Sequence, residues 1–204
     1  MDDGYIKFHC DLEDVEVPDV IFTSKLNTWR TTLHKHQLIG EYDNGIGYGN
    51  VSRRFNADSF IISGSATGGK ATLDSAEYVL VTGFNIRTNT VSGKGLIPPS
   101  SESLTHGIIY KTLPKVKWIL HIHNPEIWKY YKNILPTTAE HIPYGTPEMA
   151  LEVKRLVLAS APNRPRIVIM GGHQDGIIAY GVNLDDVGQK LLDLVLANKA
   201  QSLL

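Results

Sequence analysis

Residues Pro98–His123 have the sequence PPSSESLTHGIIYKTLPKVKWILHIH, which predicts a helix followed directly by a strand. Apolar Leu104, Ile108 and Ile109 recur at the spacing of one helical face, and Pro114 ends the run. Serine, glutamate and histidine side chains cluster at the two ends of this helix–strand unit. We therefore expect the unit to contribute to a functional site.

The start of the predicted helix, at Ser100 and Ser101, places two hydroxyls beside the carboxylate of Glu102. Ser-Ser-Glu before an apolar run is usually only a helix cap, in which a serine oxygen accepts a free backbone N–H. A helix N-terminus also favours a bound anion, because its free N–H groups point outward and its dipole is positive there. Both interpretations remain open for these residues.

The end of the unit is a predicted strand over residues 116–122 that leads into His121 and His123. Side chains at i and i+2 of a strand point to the same face, so both imidazoles enter one space. Two such imidazoles form half of a zinc site, which normally needs three protein ligands and, in an enzyme, keeps a fourth position open. A solvent-facing or hydrogen-bonded pair of histidines is the simpler alternative.

Elsewhere in the chain, periodicity predicts alternating helices and short strands. Helices are predicted at 24–38, 125–132, 147–160 and 184–203, and strands at 77–83, 88–92, 166–170 and 176–180. This content predicts one α/β domain in which helices cover a mixed or antiparallel sheet. We place that domain at residues 1–204, with residues 1–20 as an irregular arm or short strand.

Composition and charge favour a soluble protein with a small-molecule partner. Hydrophobic residues make up 42% and charged residues 20% of the chain, which is ordinary for a globular protein. The formal net charge of −1 gives no reason to expect nucleic acid as a partner. Cys10 is the only cysteine, so a reducing compartment fits. Without an apolar signal sequence or membrane span, we expect a cytoplasmic enzyme or binding domain that has no membrane partner.

Two glycine-rich turns offer further groups that bind anions. The first contains Gly49 and Asn50, and the second contains Thr67 and Gly68. Backbone N–H groups at such turns suit a phosphate. Each turn alone is weak support, since turns contain these residues for backbone reasons far more often.

The order of these motifs resembles that of a known family. The motifs are GNVSRR at 49–54, ISGSATG at 62–68, PSSESLTH at 99–106, HIH at 121–123 and DGIIAYG at 175–181. In this order they resemble the class II aldolase/adducin family, whose members include aldolases, a 4-epimerase and a dehydratase of sugar phosphates. The resemblance extends from about residue 24 to the C-terminal helix. The motif that joins serine, glutamate and histidine is its most specific part.

The resemblance implies a three-layer α/β/α fold with a central, mainly antiparallel sheet. It implies a zinc ion held by His121 and His123, with Glu102 as the acid/base carboxylate. It also implies a homotetramer with sites at subunit borders. The positions that match the family's phosphate-binding residues are Asn50, Thr67, Gly68, Ser100 and Ser101.

The third metal ligand is where the chain departs from the family pattern, in which a histidine immediately precedes the glycine that opens the last strand. Aligning Gly176 and Gly181 with that motif places Asp175 at the ligand position, with His173 two residues earlier. Either His173 completes the site through a shifted loop, or Asp175 coordinates through oxygen and admits another divalent metal. We favour His173, because three histidines are usual in the family, with Asp175 as its partner. Loss of the metal is the remaining alternative.

Two further histidines occupy notable positions in the family pattern. His141 falls where relatives place a tyrosine or aspartate that handles a proton, so it is a candidate second acid/base, or else a loop residue in solvent. His106 follows Glu102 by one helical turn. Either a hydrogen bond beneath the site or a direct role fits His106.

The function that the resemblance implies is that of a zinc-dependent lyase acting on a ketose or ketose phosphate. Aldol cleavage or condensation would pass through a metal-stabilised enediolate, with Glu102 moving the proton. The alternatives are a sugar-phosphate dehydratase or 4-epimerase on the same scaffold, and a non-catalytic adducin-like interaction domain. Glutamate at position 102, where the epimerase has aspartate, favours an aldolase or a dehydratase. The presence of His121, His123 and Glu102 argues against the interaction domain.

Overall fold

Helices cover both faces of one large sheet in the computed structural model, which describes residues 5–17, 20–160 and 166–201. The helices are α1 Val20–Lys35, α2 Ser103–Thr112, α3 Pro125–Tyr131, α4 Pro147–Ala159 and α5 Leu184–Gln201. The strands are β1 His9–Glu13, β2 Gly40–Glu41, β3 Gly47–Tyr48, β4 Asn50–Arg54, β5 Phe60–Ser63, β6 Tyr78–Asn85, β7 Thr90–Lys94, β8 Trp118–His123, β9 Ile167–Ile169 and β10 Gly176–Gly181. The expected three-layer α/β/α fold is confirmed.

The main sheet contains eight strands in the order β1-β7-β6-β5-β4-β8-β10-β9. Its neighbouring strands are antiparallel except for β1 and β7, so the expectation of a mainly antiparallel sheet is also confirmed. Strand β8 lies between β4 and β10, with His121 opposite Asn50 and His123 opposite Gly176. The two histidines thus lie in the middle of the sheet, where neighbouring strands hold the backbone on both sides.

The alternation of side chains along β8 decides on which face of the sheet His121 and His123 lie. Leu120 and Ile122 pack into the core beneath α1, α3 and α5, whereas Ile119 packs into the core beneath α2 and α4. Because successive side chains of a strand point to opposite faces, His121 and His123 share the face of Ile119. That face is covered by α2, so the start of α2 and the end of β8 can meet there.

The start of α2 differs from the sequence prediction. The helix begins at Ser103 with Glu102 at the N-cap position, and no side chain in the described part of the chain caps it. Instead, Ser100 Oγ accepts the backbone N–H of Glu102 at 3.3 Å, while Ser103 Oγ donates to the Ser100 carbonyl at 2.6 Å. Ser100 thus accepts a free backbone N–H, as the cap interpretation expects, but it does so from a turn before the helix, and Glu102 holds the N-cap position.

The end of α1 also differs from the predicted range 24–38. The helix ends three residues earlier, at Lys35, and is followed by Gln37 in a left-handed conformation with a φ of 56°. The Gln37 N–H bonds to the His34 carbonyl and the Leu38 N–H to the Leu33 carbonyl, both at 2.9 Å. This pair of bonds is the Schellman pattern, which usually has glycine at the left-handed position.

Most other predicted elements are confirmed with shifted boundaries, and β6 and β7 form the expected antiparallel hairpin. Within the predicted N-terminal segment 1–20, the described residues include the short strand β1, which pairs in parallel with β7. Residues 1–4 and 18–19 of that segment, and 202–203 of the last predicted helix, lie outside the described ranges. No helix within those ranges has both the length and the apolar character needed to cross a membrane.

Candidate metal centre and active site

A small pocket that opens to solvent lies beside the end of β8 and the start of α2. Its walls come from parts of the chain that are far apart in sequence. The predicted site residues that line it are Asn50, Thr67, Gly68, Ser100, Ser101, Glu102, His121, His123 and His173. Asp175 and His141 do not line this pocket in the described structure.

Three histidines in this pocket form a candidate metal-binding cluster. One ring nitrogen from each of His121, His123 and His173 lies within 4.8 Å of the other two. The centroid of the His173 ring is 5.1 Å from that of His121 and 4.6 Å from that of His123. Three imidazoles are a ligand set of catalytic zinc sites. Asp175 is not part of the cluster, so the geometry favours His173 as the third ligand.

Hydrogen bonds orient the two rings that come from β8. His121 Nδ1 lies 3.2 Å from the carbonyl oxygen of Ile177, which can only accept, so this nitrogen holds the ring proton and Nε2 is free of it. His123 Nδ1 lies 2.8 Å from the hydroxyl of Tyr42, and the Nε2 atoms of His121 and His123 face each other at 3.1 Å. Both Nε2 atoms are therefore directed at one point, as ligands of a shared cation would be.

Burial keeps these rings neutral. It lowers the pKa of His121 to about 4. It also lowers the pKa values of His123 and His173 well below their ordinary value, with a smaller contribution from the neighbouring rings. Since a histidine binds a metal through its neutral form, all three are ready to coordinate at neutral pH.

Glu102 lies beside the cluster at the end of the pocket nearest α2. Its carboxylate is 1% exposed, and Oε1 is 3.6 Å from Nδ1 of His173. This separation is within ion-pair range, although burial, which lowers the pKa of His173, favours its neutral ring. The carboxylate is therefore adjacent to the histidine cluster.

The loop that holds His173 explains why this histidine comes two residues early. Asp175 has a left-handed φ of 65°, and its carbonyl accepts the N–H of Asn124 at 2.9 Å. The His173 N–H bonds to the Met170 carbonyl at 3.1 Å, and its ring stacks on Tyr144 with centroids 4.4 Å apart. This tight turn directs His173 into the pocket.

The predicted anion-binding residues also line the pocket. Asn50 is buried, and its Oδ1 has no hydrogen-bond partner among the described residues. Since buried polar atoms are normally paired, a bound ligand would complete this site. Thr67 Oγ1 donates to the Gly64 carbonyl at 2.8 Å, so the threonine proton is used within the loop itself.

Sequence reasoning missed Arg30, a buried residue of α1 that supports the same loop. Its Nη2 donates to the carbonyl of Thr67 at 2.5 Å, and Nη1 donates to that of Lys70. An arginine stays charged even though burial lowers its pKa. The available signal was its spacing, four residues after Leu26 and three before Leu33 on the buried face of the helix.

Gly68 allows this loop to lie directly on the β2–β3 hairpin. A Cβ atom at this position would be 2.1 Å from the Gly40 carbonyl oxygen and 2.8 Å from the Gly47 Cα. The preceding Ala66 adopts a left-handed φ of 58°, which is uncommon for a residue other than glycine. The loop is thus fixed by close backbone packing at the edge of the pocket.

The structure separates the two remaining histidines from the pocket. His141 is exposed, in a turn that precedes α4. His106 is fully buried, and its Nδ1 lies 2.7 Å from Ser52 Oγ, which in turn is 2.8 Å from the Tyr110 hydroxyl. This bond matches one of the two alternatives for His106, a hydrogen bond beneath the site. Burial lowers the pKa of His106 well below its ordinary value, so the ring is neutral.

The chain belongs to the class II aldolase and adducin N-terminal domain family, whose model matches residues 41–201. Among solved structures, an L-fuculose 1-phosphate aldolase is 21% identical with a TM-score of 0.68, over 92% of this chain and 88% of that one. A sugar-phosphate aldolase from Thermotoga maritima is 16% identical with a TM-score of 0.63, over 86% and 91% of the two chains. The L-fuculose 1-phosphate aldolase from Glaciozyma antarctica is 17% identical with a TM-score of 0.61, over 90% and 72%.

At these low sequence identities, the similarity to the solved structures shows a shared fold and nothing more. A comparison with curated protein sequences gave no significant match. Family membership and the cluster of three histidines therefore define the class of protein, a class II aldolase-like chain with a candidate metal site.

Proposed function

We propose that this protein is a zinc-dependent lyase that cleaves or forms a carbon–carbon bond of a ketose or ketose phosphate by aldol chemistry. The observation that supports it most is the position of Glu102. This buried carboxylate lies 3.6 Å from one of three clustered histidines, in the same pocket as the anion-binding loops. A lyase of this kind needs a metal, a proton-transferring group and a substrate anchor in one place.

The residues of the cluster fit a zinc ion. His121, His123 and His173 would hold it through neutral imidazole nitrogens, and two of these already face each other at 3.1 Å. A bound zinc supplies Lewis acidity that stabilises the negative charge developing on the substrate's carbonyl oxygen. Three protein ligands would leave a coordination position for substrate, as in other catalytic zinc sites.

Glu102 would transfer the proton at the reacting carbon. In the cleavage direction a base, the role proposed for His141 of a neighbouring subunit, takes the proton of the hydroxyl beside the breaking bond, and that oxygen becomes the carbonyl of the aldehyde fragment. The carbon–carbon bond breaks, its electron pair goes to the ketone fragment, and Glu102 donates a proton to the carbon that has lost its partner. In condensation the same carboxylate removes that proton. Burial favours this role, because the side chain is 1% exposed and held at the N-cap position of α2.

The loops would anchor the substrate's phosphate, or its hydroxyls if it has none. The Oδ1 of Asn50, which has no partner among the described residues, can accept from a substrate hydroxyl, and Ser100 and Ser101 offer hydroxyls that line the same pocket. Behind Thr67 and Gly68 lies the charge of Arg30. Because a phosphate binds best where backbone N–H groups and positive charge converge, this part of the pocket is suited to an anionic substrate. The proposed partner is thus a small sugar or sugar phosphate.

His141 is proposed as a second acid/base only within an oligomer. It is exposed and lies outside the pocket of its own chain, so it would have to enter the pocket of a neighbouring subunit. The homotetramer implied by the family resemblance would provide such a neighbour. Chromatography with light scattering measures the assembly, and a monomer would exclude this role for His141.

Product analysis tests the proposed reaction. Purified protein would be assayed for bound metal and then incubated with a panel of ketose phosphates and free ketoses. We expect bound zinc and release of a three-carbon ketone fragment. Loss of water would identify a dehydratase, and an inverted substrate a 4-epimerase, on the same scaffold. Absence of any divalent metal would overturn the enzyme proposal in favour of an interaction domain.

A further inference from the structure

We propose that Tyr42 is a positioning residue, which fixes the ring orientation and proton placement of the metal ligand His123. The proposal rests on the metal-dependent function above and adds a residue that does not itself touch metal or substrate. Tyr42 lies 81 positions before His123 in sequence, and its hydroxyl is 2.8 Å from His123 Nδ1. That separation is a good hydrogen bond.

The contact with Tyr42 matters because it affects which ring nitrogen of His123 holds the proton. For His123 to bind a metal through Nε2, the ring proton must be on Nδ1. The Tyr42 hydroxyl oxygen can accept that proton in a hydrogen bond, just as the Ile177 carbonyl does for His121. Partners of this kind set the tautomer of a ligating histidine and raise its basicity.

The β2–β3 hairpin places Tyr42 at this distance. Tyr42 is the first loop residue after β2, where its N–H bonds to the Ile46 carbonyl and its carbonyl accepts the Gly45 N–H, both at 2.9 Å. Gly45 has a left-handed φ of 80°, which closes the loop. Just before the hairpin, the Leu38 carbonyl accepts the backbone N–H of His123 at 2.9 Å. The backbone of His123 is therefore bonded to the residue just before the hairpin, and the side chain of His123 is bonded to Tyr42 within it.

Tyr48, on the returning strand of the hairpin, provides a matched control. Its ring centroid lies 4.5 Å from that of Tyr42 and 5.4 Å from that of His123, so both tyrosines belong to one aromatic group. The Tyr48 hydroxyl instead donates to the Gln37 carbonyl at 3.4 Å. Tyr48→Phe thus removes an oxygen from the same group and leaves the His123 nitrogen partner intact.

Zinc affinity of the full chain tests the proposal. Dissociation constants for zinc would be measured by competition with a chromogenic chelator for wild type, Tyr42→Phe and Tyr48→Phe. We expect Tyr42→Phe to weaken zinc binding by about 10- to 100-fold, the usual effect of losing an outer hydrogen-bond partner of a metal ligand. Tyr48→Phe should bind zinc as wild type does. Circular dichroism would check that each variant is folded.

A spectroscopic readout separates positioning from general packing. In nitrogen-15 NMR spectra of the zinc-loaded protein, the His123 Nδ1–H signal should be visible in wild type and Tyr48→Phe and lost by exchange in Tyr42→Phe. Equal zinc affinity of Tyr42→Phe and wild type would overturn the proposal, as would equal losses in the two variants. If wild type itself binds no zinc, the proposed function fails as well, which distinguishes that outcome from the others.

Discussion

The Nε2 atoms of His121 and His123 lie 3.1 Å apart in a buried pocket, and the Nδ1 atom of each ring is engaged by another group. The period of β8 produces this relationship, because positions 121 and 123 share one face of a central strand. His173 then approaches the same point from the loop before β10. The sheet thus largely preforms the candidate metal site, and binding of a metal there would affect stability, pH dependence and catalysis.

Zinc should stabilise the folded chain. A ligand that binds only the native state raises the free energy of unfolding by about 2.7 kcal/mol at a free concentration 100 times its dissociation constant. Thermal unfolding of protein stripped by a chelator, with and without added zinc, measures this effect. His121→Ala should lose most of the zinc-induced increase in melting temperature, whereas the exposed-residue variant His141→Ala should retain it. No shift in wild type would contradict a preformed site.

The metal-free protein should lose stability in mild acid. Burial lowers the pKa of His121 from its ordinary value of 6.5 to about 4, so the unfolded state binds more protons between these two values. The free energy of unfolding should therefore fall as the pH decreases through this window, by about 3 kcal/mol for His121 alone. Buried His106, His123 and His173 act in the same direction.

Urea unfolding in the presence of chelator, at about pH 7.5 and about pH 5, measures the part of this change that lies above pH 5, about 2 kcal/mol for His121. The exposed-residue variant His141→Gln should show the same pH dependence as wild type. Equal stability at the two pH values, or higher stability in acid, would contradict burial of neutral histidines.

Glu102→Gln should abolish proton transfer while leaving the metal bound. The amide keeps the size of the side chain but cannot act as a base, and general acid/base groups typically contribute about 10²- to 10⁴-fold to the rate. We expect a loss in kcat of that size on whichever substrate the wild-type protein turns over. The matched control is Glu148→Gln, an exposed glutamate at the start of α4. A Glu102→Gln enzyme with wild-type kcat would exclude the carboxylate from the chemistry.

Arg30→Met should loosen the anion-binding loop. The substitution keeps an apolar stem but leaves the buried carbonyl of Thr67 and the partly buried carbonyl of Lys70 without their donor. Each unsatisfied buried acceptor costs about 1–3 kcal/mol, so we expect the free energy of unfolding to fall by a few kcal/mol. Affinity for inorganic phosphate, measured by calorimetry, should also decrease. The exposed-residue variant Arg87→Met should change neither quantity, and an Arg30→Met protein with wild-type stability would contradict this role.

The parts of this protein that follow simple periods could be predicted from the sequence. The two-residue period of β8 correctly placed His121 and His123 on one face, and the spacing of apolar residues correctly predicted helix α2. The residues at which helices α1 and α2 end or begin were harder to predict, because turns compete with the helix there. The turn around Ser100 delays the start of α2, and left-handed Gln37, where a glycine would have been recognisable, ends α1 early.

Long-range partners of the site could not be predicted in the same way. Arg30 reaches a loop 37 residues away, and Tyr42 reaches His123 across 81 residues. Neither contact has a local sequence period, since both depend on how the hairpin and loop pack in three dimensions. The choice between His173 and Asp175 likewise depends on the left-handed backbone at Asp175, which no periodic pattern encodes.

The zinc content of purified wild type, His173→Ala and Asp175→Gly decides whether the three histidines form the metal centre. Glycine suits the left-handed backbone at position 175 and removes only the carboxylate. We predict about one zinc per chain in wild type and in Asp175→Gly, since both keep three imidazole ligands. His173→Ala should contain almost none, because two ligands are too few. Zinc retained in His173→Ala but lost in Asp175→Gly would contradict the account.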